Sequence, residues 1–167
     1  YYLDRARVAA RVQAIGVATE IEPVLAAFAR TFEKICRDRG VAFHVEAAPG
    51  LRFMGEKQDF EEMVGNVMDN AGKWARRQVR VTTALETASD ASQRDAILVT
   101  IDDDGPGLSA SQREEAPRRG RRLDESKPGS GLGLSIVADL VGLYGGKLLL
   151  RESPEGGLRV ILSLPAV

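Results

Sequence analysis

The hydrophobic period of this chain changes along its length, and that change limits the folds open to it. Over 41–48, Val41, Phe43, Val45 and Ala47 fall on one side and Ala42, His44 and Glu46 on the other, the pattern of a half-buried strand. Over 58–74 the period lengthens to that of a helix, with Phe60, Met63, Val64, Val67 and Ala71 apolar. Upstream, Pro23 suits the first turn of a helix running to about Arg39. There Leu25, Phe28, Phe32 and Ile35 recur at helical steps and Gly40 supplies the stop. Segments 78–85 and 96–101, rich in Val, Ile and Thr, read as strands joined by the polar loop 87–94. A further helix is predicted from near Gly131 to about Tyr144, closed by Gly145-Gly146. Strands 147–152 and 158–163 then flank a turn at Pro154-Glu155-Gly156-Gly157. Helices alternating with strands and ending in a hairpin predict an α/β fold: a two-layer sandwich with a mixed β-sheet packed on helices.

At 167 residues, 44% of them hydrophobic, the chain suits one domain with a sizeable core. Its net charge of -1 conceals acidic runs at 56–62 and 102–104 and a basic cluster over 113–127. A local anion site is expected from this, and a nucleic-acid partner is not. Cys36 is the single cysteine and reads as a buried thiol of a reducing compartment. No apolar run approaches the roughly 20 residues that span a bilayer, and no signal peptide is visible. Opening on Tyr1-Tyr2 without a methionine, the chain reads as a fragment of a longer protein.

Three segments carry chemistry. Asn66, Asn70 and Lys73 fall on one helical stripe, with Glu62 one turn earlier. Carboxamides and an ammonium on one face suit phosphates and a magnesium ion, although a solvated polar face has the same pattern. Asp102-Asp103-Asp104-Gly105-Pro106-Gly107 lies where a strand ends. Consecutive carboxylates repel and need a use or full solvation, the glycines permit close backbone approach, and a carboxylate can accept the exocyclic amine of adenine. The later ligands of a calcium loop are missing. Last, Lys127-Pro128-Gly129-Ser130-Gly131-Leu132-Gly133-Leu134 leads into a helix, where exposed amides make an anion site. Arg113, Arg118, Arg119, Arg121 and Arg122 before it would add cations over a triphosphate. It fits neither the dinucleotide fingerprint nor the P-loop.

The order of these segments is informative. Asn66-Val67-Met68-Asp69-Asn70-Ala71-Gly72-Lys73-Trp74 resembles the N box of bacterial two-component sensor histidine kinases. Asp103-Asp104-Gly105-Pro106-Gly107 resembles their G1 box and Gly129 to Leu134 their G2 box. The likeness covers about 21–165, and Arg119-Gly120-Arg121-Arg122-Leu123-Asp124 is similar to the lid of PhoQ-type kinases. It implies the Bergerat fold shared with gyrase, Hsp90 and MutL, over 17–167, with an ATP lid at about 108–130. By the same resemblance Asn66 would ligate Mg2+, with Ser130 assisting, while Asn70 and Lys73 would meet phosphate. Trp74 would lie against adenine and Asp103 would receive its amine. Gly105, Gly107 and Leu108 would line the pocket, Arg119, Arg122 and Lys127 would hold the polyphosphate from the lid, and Gly129, Ser130, Gly131, Leu132, Gly133 and Leu134 would supply backbone amides.

Two departures from that family pattern matter. No phosphoacceptor box is present: His44, the only histidine, sits mid-strand on the polar face. Residues 1–16 resemble the tail of a preceding dimerisation helix, which places the acceptor upstream. The phenylalanine-rich stretch between the G1 and G2 boxes is replaced by Glu114-Glu115-Ala116-Pro117-Arg118. The expected function is Mg-ATP binding and donation of the γ-phosphate to a histidine of a separate dimerisation domain, within a signalling protein that also meets a response regulator. The domain is expected in the cytoplasm, on a parent sensor of the inner membrane. Two alternatives are a superfamily ATP hydrolase using Glu62 as base and a non-enzymatic nucleotide-sensing module.

Overall fold

A computed structural model describes residues 16–118 and 133–167, together with Asp4 and Arg7. The chain runs β1 (Thr19–Glu20), α1 (Ile21–Ile35), a 3-10 turn (Arg37–Arg39), β2 (Ala42–Glu46), β3 (Arg52–Phe53), α2 (Lys57–Trp74), β4 (Gln78–Glu86), β5 (Ala96–Asp103), α3 (Ala110–Glu115), α4 (Gly133–Leu143), β6 (Lys147–Glu152) and β7 (Leu158–Pro165). Five strands form one sheet in the order β2-β4-β5-β7-β6. β2 lies parallel to β4 and every other pairing is antiparallel. β1 and β3 make a separate two-stranded ribbon.

The period read from the sequence explains why these elements pack as they do. Val79 and Val81 on β4, Ile97, Val99 and Ile101 on β5, and Val160, Leu162 and Leu164 on β7 all point to one face and are buried. α2 crosses that face over β4 and β5, with α1 on one flank and α4 on the other. Its stripe of Phe60, Met63, Val64, Val67, Met68 and Ala71 is buried almost completely. This is the expected two-layer α/β sandwich with a mixed sheet.

The expectations differ from the structure in detail. α1 begins two residues before Pro23 and stops at Ile35, its last turn tightening to a 3-10 turn that Gly40 ends at a φ of 69°. Ile35 is 66% exposed. It lies on the outer edge of the apolar stripe, about 100° round from Cys36, and Cys36 takes the buried position instead. β5 runs on past 101 to Asp103, and within the segment expected as a lid Ser109 and Gln112 form a capping box that starts α3. No helix among the described residues is long and apolar enough to cross a membrane.

Candidate functional site

α2 brings the carboxamide stripe to the edge of the helical layer nearest α4. Its apolar stripe holds it on the sheet, which leaves Glu62, Asn66, Asn70, Lys73 and Trp74 half-buried along one side. From Asn66 to Trp74 this line covers about 12 Å at the rise of an α-helix. Asn66 donates through Nδ2 to the carbonyl of Glu62 at 2.7 Å, so Oδ1 is its acceptor face. A Cβ at Gly133 would come within 3.6 Å of that Oδ1, so the start of the described part of α4 lies beside Asn66. Lys73 pairs with Asp69 at 3.0 Å across one helical turn. A half-exposed pair of this kind holds its ammonium weakly, and an anion can compete for it.

The consecutive aspartates at the end of β5 have different partners. Asp102 faces the outer side of the sheet, where Arg159 of β7 grips both its oxygens, Nε to Oδ1 at 2.8 Å and Nη2 to Oδ2 at 2.9 Å. The Asp102↔Arg159 register of β5 and β7 brings this pair together. Asp104 turns back toward the end of α2 and accepts the amides of Arg76, Arg77 and Gln78 through Oδ1, at 2.7, 3.1 and 3.3 Å. Burial pushes its carboxyl up, but those amides together outweigh burial and hold it below the usual carboxylate range. Asp103 points inward and is 3% exposed. Its Oδ1 accepts from the amides of Gly105 at 2.9 Å and Leu158 at 3.2 Å. Burial raises its carboxyl above the ordinary value. The two amides pull it partly back, and the charges of Asp104 and Asp102 add to the rise. Repulsion along the run is thus relieved by pointing the carboxylates apart.

Glycines allow close packing around Asp103. A Cβ at Gly105 would lie 2.4 Å from the carbonyl oxygen of Trp74, which brings the end of α2 against the G1 turn. Gly157, at the start of the last strand, is tighter still. A Cβ there would lie 2.0 Å from Asp103 Oδ1 and 2.6 Å from Asp103 O. Gly107 adopts a φ of 71° and turns the chain toward Leu108, which is half-buried against the core. Arg113 does not turn toward a phosphate site. It donates to the carbonyl of Leu108 at 2.6 Å and lies 4.0 Å from Glu152 of β6, bracing the segment that follows the G1 turn. Arg118 pairs at 4.0 Å with Glu114 on the surface.

Gly133 and Leu134 begin the described part of α4, and Leu134 packs against the core. Arg119, Arg121, Arg122, Lys127, Gly129, Ser130, Gly131 and Leu132 lie outside the described residues, as does the 1–15 segment apart from Asp4 and Arg7. His44 is exposed on β2, an edge strand, opposite Arg80 in register. Sequence reasoning overlooked Gly157 and Arg159, because their contacts depend on the β5–β7 register. It also overlooked Tyr144, whose hydroxyl donates to the buried Asp59 of α2 and accepts from the amide of Glu56 at 3.4 Å. That pair ties the end of α4 to the start of α2.

Among the described residues, no group of three or more His, Cys, Asp or Glu side chains is placed to hold a metal ion. One carboxamide oxygen beside an anion site still suits magnesium, which binds through few protein ligands plus phosphate and water. The Asn66 Oδ1 left by the Nδ2 bond fits that role. The arrangement therefore offers a buried acceptor, an indole and a line of amide and ammonium groups leading away from them.

Comparison with known proteins places this geometry. The family described as "Histidine kinase-, DNA gyrase B-, and HSP90-like ATPase" matches residues 55–167. The sensor protein kinase CarS of Pseudomonas aeruginosa is 45% identical over 119 residues, 71% of this chain and 25% of its own length. The sensor protein PhoQ of Escherichia coli is 34% identical over 161 residues, 96% of this chain and 32% of its own. The chain thus spans about a quarter to a third of these relatives. The crystal structure of the ATP binding domain of PrrB from Mycobacterium tuberculosis superimposes with a TM-score of 0.69 at 26% identity, over 90% of this chain and 97% of that one.

Proposed function

Because the chain belongs to the family of histidine kinase-, DNA gyrase B- and HSP90-like ATPases, we propose that it is the catalytic ATP-binding domain of a two-component sensor histidine kinase. The observation that carries this reading is the pairing of a buried carboxylate, Asp103, with the polar side of α2. Asp103 sits at the end of β5, two residues before the Gly105 that meets the Trp74 carbonyl. In this reading the base lies between Asp103 and Trp74, and the exocyclic amine donates to the carboxylate. Guanine presents a carbonyl at that position and is refused, since two acceptors would meet in a buried site. The phosphates run along α2 past Lys73 and Asn70 toward Asn66 and the Gly133 end of α4. Arg119, Arg122 and Lys127 would meet them from the lid at about 108–130, and the segment 129–134 would supply backbone amides.

Asn66 Oδ1, with Ser130, would hold the Mg2+ that accompanies the nucleotide and neutralises its charge. The protein's own contribution is positioning. Asn70 and Lys73 fix the phosphates, and the base pocket sets their depth along α2. The γ-phosphorus is left open to an imidazole nitrogen of the separate dimerisation domain, for which residues 1–16 would form the connecting tail. The nitrogen–phosphorus bond forms as the bond to the departing ADP breaks. A response regulator would then accept the phosphoryl group from the full-length parent, itself a membrane sensor with this domain in the cytoplasm.

Incubating the chain with labelled Mg-ATP, alone and with the dimerisation hairpin of a PhoQ-type kinase supplied in trans, tests this reading. Label should appear on the hairpin histidine and not on this chain. Label kept on this chain would contradict it. Steady-state ATP turnover without the hairpin, lost in Glu62→Gln, would assign the chain to the hydrolases. Binding with neither transfer nor turnover would leave a nucleotide-sensing module.

A further inference from the structure

The turn that leaves α2 is clamped from two sides. Arg39, in the 3-10 turn after α1, donates through Nη1 to the Gly72 carbonyl at 2.6 Å and through Nη2 to the Ala75 carbonyl at 2.7 Å. Carbonyls at a helix C-terminus lack helical partners, and a guanidinium there satisfies two at once and complements the helix dipole. On the other side Asp104 gathers the next amides: Arg76, Arg77 and Gln78 donate to Oδ1, and Arg77 also to Oδ2 at 3.1 Å. Arg39 therefore holds the carbonyls of the turn and Asp104 its amides.

Trp74 lies inside that turn, and its carbonyl meets Gly105 closely. Asp104 is bonded in sequence to Asp103, the buried carboxylate at the end of β5. The proposed base pocket has two walls on different elements, Trp74 on α2 and Asp103 on β5. Register within the sheet pairs Val79 with Asp103 but does not by itself hold Trp74, which lies on α2 outside the sheet. The Asp104–turn contact fixes it, because one carboxylate spans from the strand exit to the helix exit.

We propose, resting on the nucleotide-binding reading above, that Asp104 and Arg39 are positioning residues that set the width of the base pocket and hence the affinity for the adenine ring, but not for the phosphates. Asn66 and Asn70 lie one to two turns back along α2, on a stretch held by its own apolar stripe. Loosening the turn moves Trp74 while Asn66 and Asn70 stay in place, and the flexible four-carbon stem of Lys73 lets its ammonium follow the phosphates.

The test compares binding of a non-hydrolysable ATP analogue with binding of tripolyphosphate, each with magnesium. Asp104→Ala should raise the Kd of the ATP analogue at least tenfold and change that of tripolyphosphate by less than twofold. Asp104→Asn, which keeps an acceptor oxygen for the Arg76 and Gln78 amides, should recover most of the loss. Arg39→Ala should resemble Asp104→Ala. Trp74 is the only tryptophan, so its emission should change in nucleotide-free Asp104→Ala while unfolding stays cooperative. Equal weakening of both ligands, or an Asp104→Ala variant that binds the analogue as the parent does, would overturn the proposal. If Asp104→Ala fails to fold, Arg39→Ala and Arg39→Lys carry the comparison, and their binding the ATP analogue as the parent does would overturn it equally. Failure of the unmodified chain to bind either ligand would instead sink the nucleotide-binding reading itself.

Discussion

Replacing Gly157 with alanine adds one methyl group to the tightest point of the site. The new Cβ would lie 2.0 Å from Asp103 Oδ1, 2.6 Å from Asp103 O and 2.6 Å from the Gly105 nitrogen. Unstrained carbon contacts sit at about 3.5–4.0 Å, so the G1 turn and the start of β7 must separate. The hydrogen bonds that resist are Gly157 N to Asp103 O at 3.2 Å, Leu158 N to Asp103 Oδ1 at 3.2 Å and Gly105 N to Asp103 Oδ1 at 2.9 Å. Overpacking costs about 1–3 kcal/mol and each lost or stretched hydrogen bond about 1 kcal/mol. With partial relaxation the total is about 3 kcal/mol, a fall of about 6–12 °C in Tm for a domain of this size. Nucleotide binding should weaken about tenfold or more, because the carboxylate proposed to meet the base is the group displaced. Gly156→Ala is the control: its φ of 105° makes alanine strained, but a Cβ there meets nothing within 4 Å. It should cost about 1 kcal/mol and leave affinity unchanged. Thermal unfolding by circular dichroism and calorimetric titration with a magnesium-loaded ATP analogue read both effects. A Gly157→Ala protein with parental Tm and Kd would refute the reasoning.

Asp103→Asn should separate stability from binding. The folded-state pKa of Asp103 is raised by burial, so its favourable linkage is complete below the unfolded value and lost as pH rises through the folded value. The asparagine variant should therefore be more stable than the parent at neutral pH, converge with it in acid, and bind ATP poorly throughout. Denaturant titrations across pH would check the convergence. Asp104, with its pKa lowered mainly by the turn amides acting against burial, contributes in the opposite sense. Its stabilisation is present above the unfolded value and lost as pH falls through the folded one, and this acid-side slope should be missing in Asp104→Asn. Arg159→Ala leaves Asp102, 2% exposed, without its bidentate partner. It should cost about 2 kcal/mol, less than the 3–5 kcal/mol of a fully buried pair because Arg159 itself is partly solvated. Tyr144→Phe removes the hydroxyl that joins Asp59 to the amide of Glu56 and should cost about 1–2 kcal/mol by denaturant unfolding.

The parts legible in the sequence are those governed by local periodicity. Phe60, Met63, Val64, Val67 and Ala71 marked both a helix and the side facing the sheet, and so placed Asn66, Asn70 and Lys73 on its polar side. The strand exit at Asp102 to Gly107 was legible because carboxylates beside glycines suit few other settings. The different partners of the three aspartates were not, because each depends on an element distant in sequence: Arg159 through strand register, Leu158 through the final hairpin, and the 76–78 amides through the end of α2. Ile35 shows the limit of periodicity at a helix end, where a residue on the edge of the stripe outruns the surface it would cover. β1 and β3, two residues each, are too short for any periodic signal. α3 carried a signal, the Ser109–Gln112 capping box, in a six-residue helix too short for hydrophobic periodicity to show.

The most direct measurement is calorimetric titration of the chain with a non-hydrolysable ATP analogue and magnesium, set beside the guanine counterpart and repeated on Asp103→Asn. One site that prefers adenine is expected, with the preference collapsing in the variant while its fold is retained. Equal binding of the two bases, or undiminished binding by Asp103→Asn, would contradict the claim that the buried carboxylate at the end of β5 reads the base.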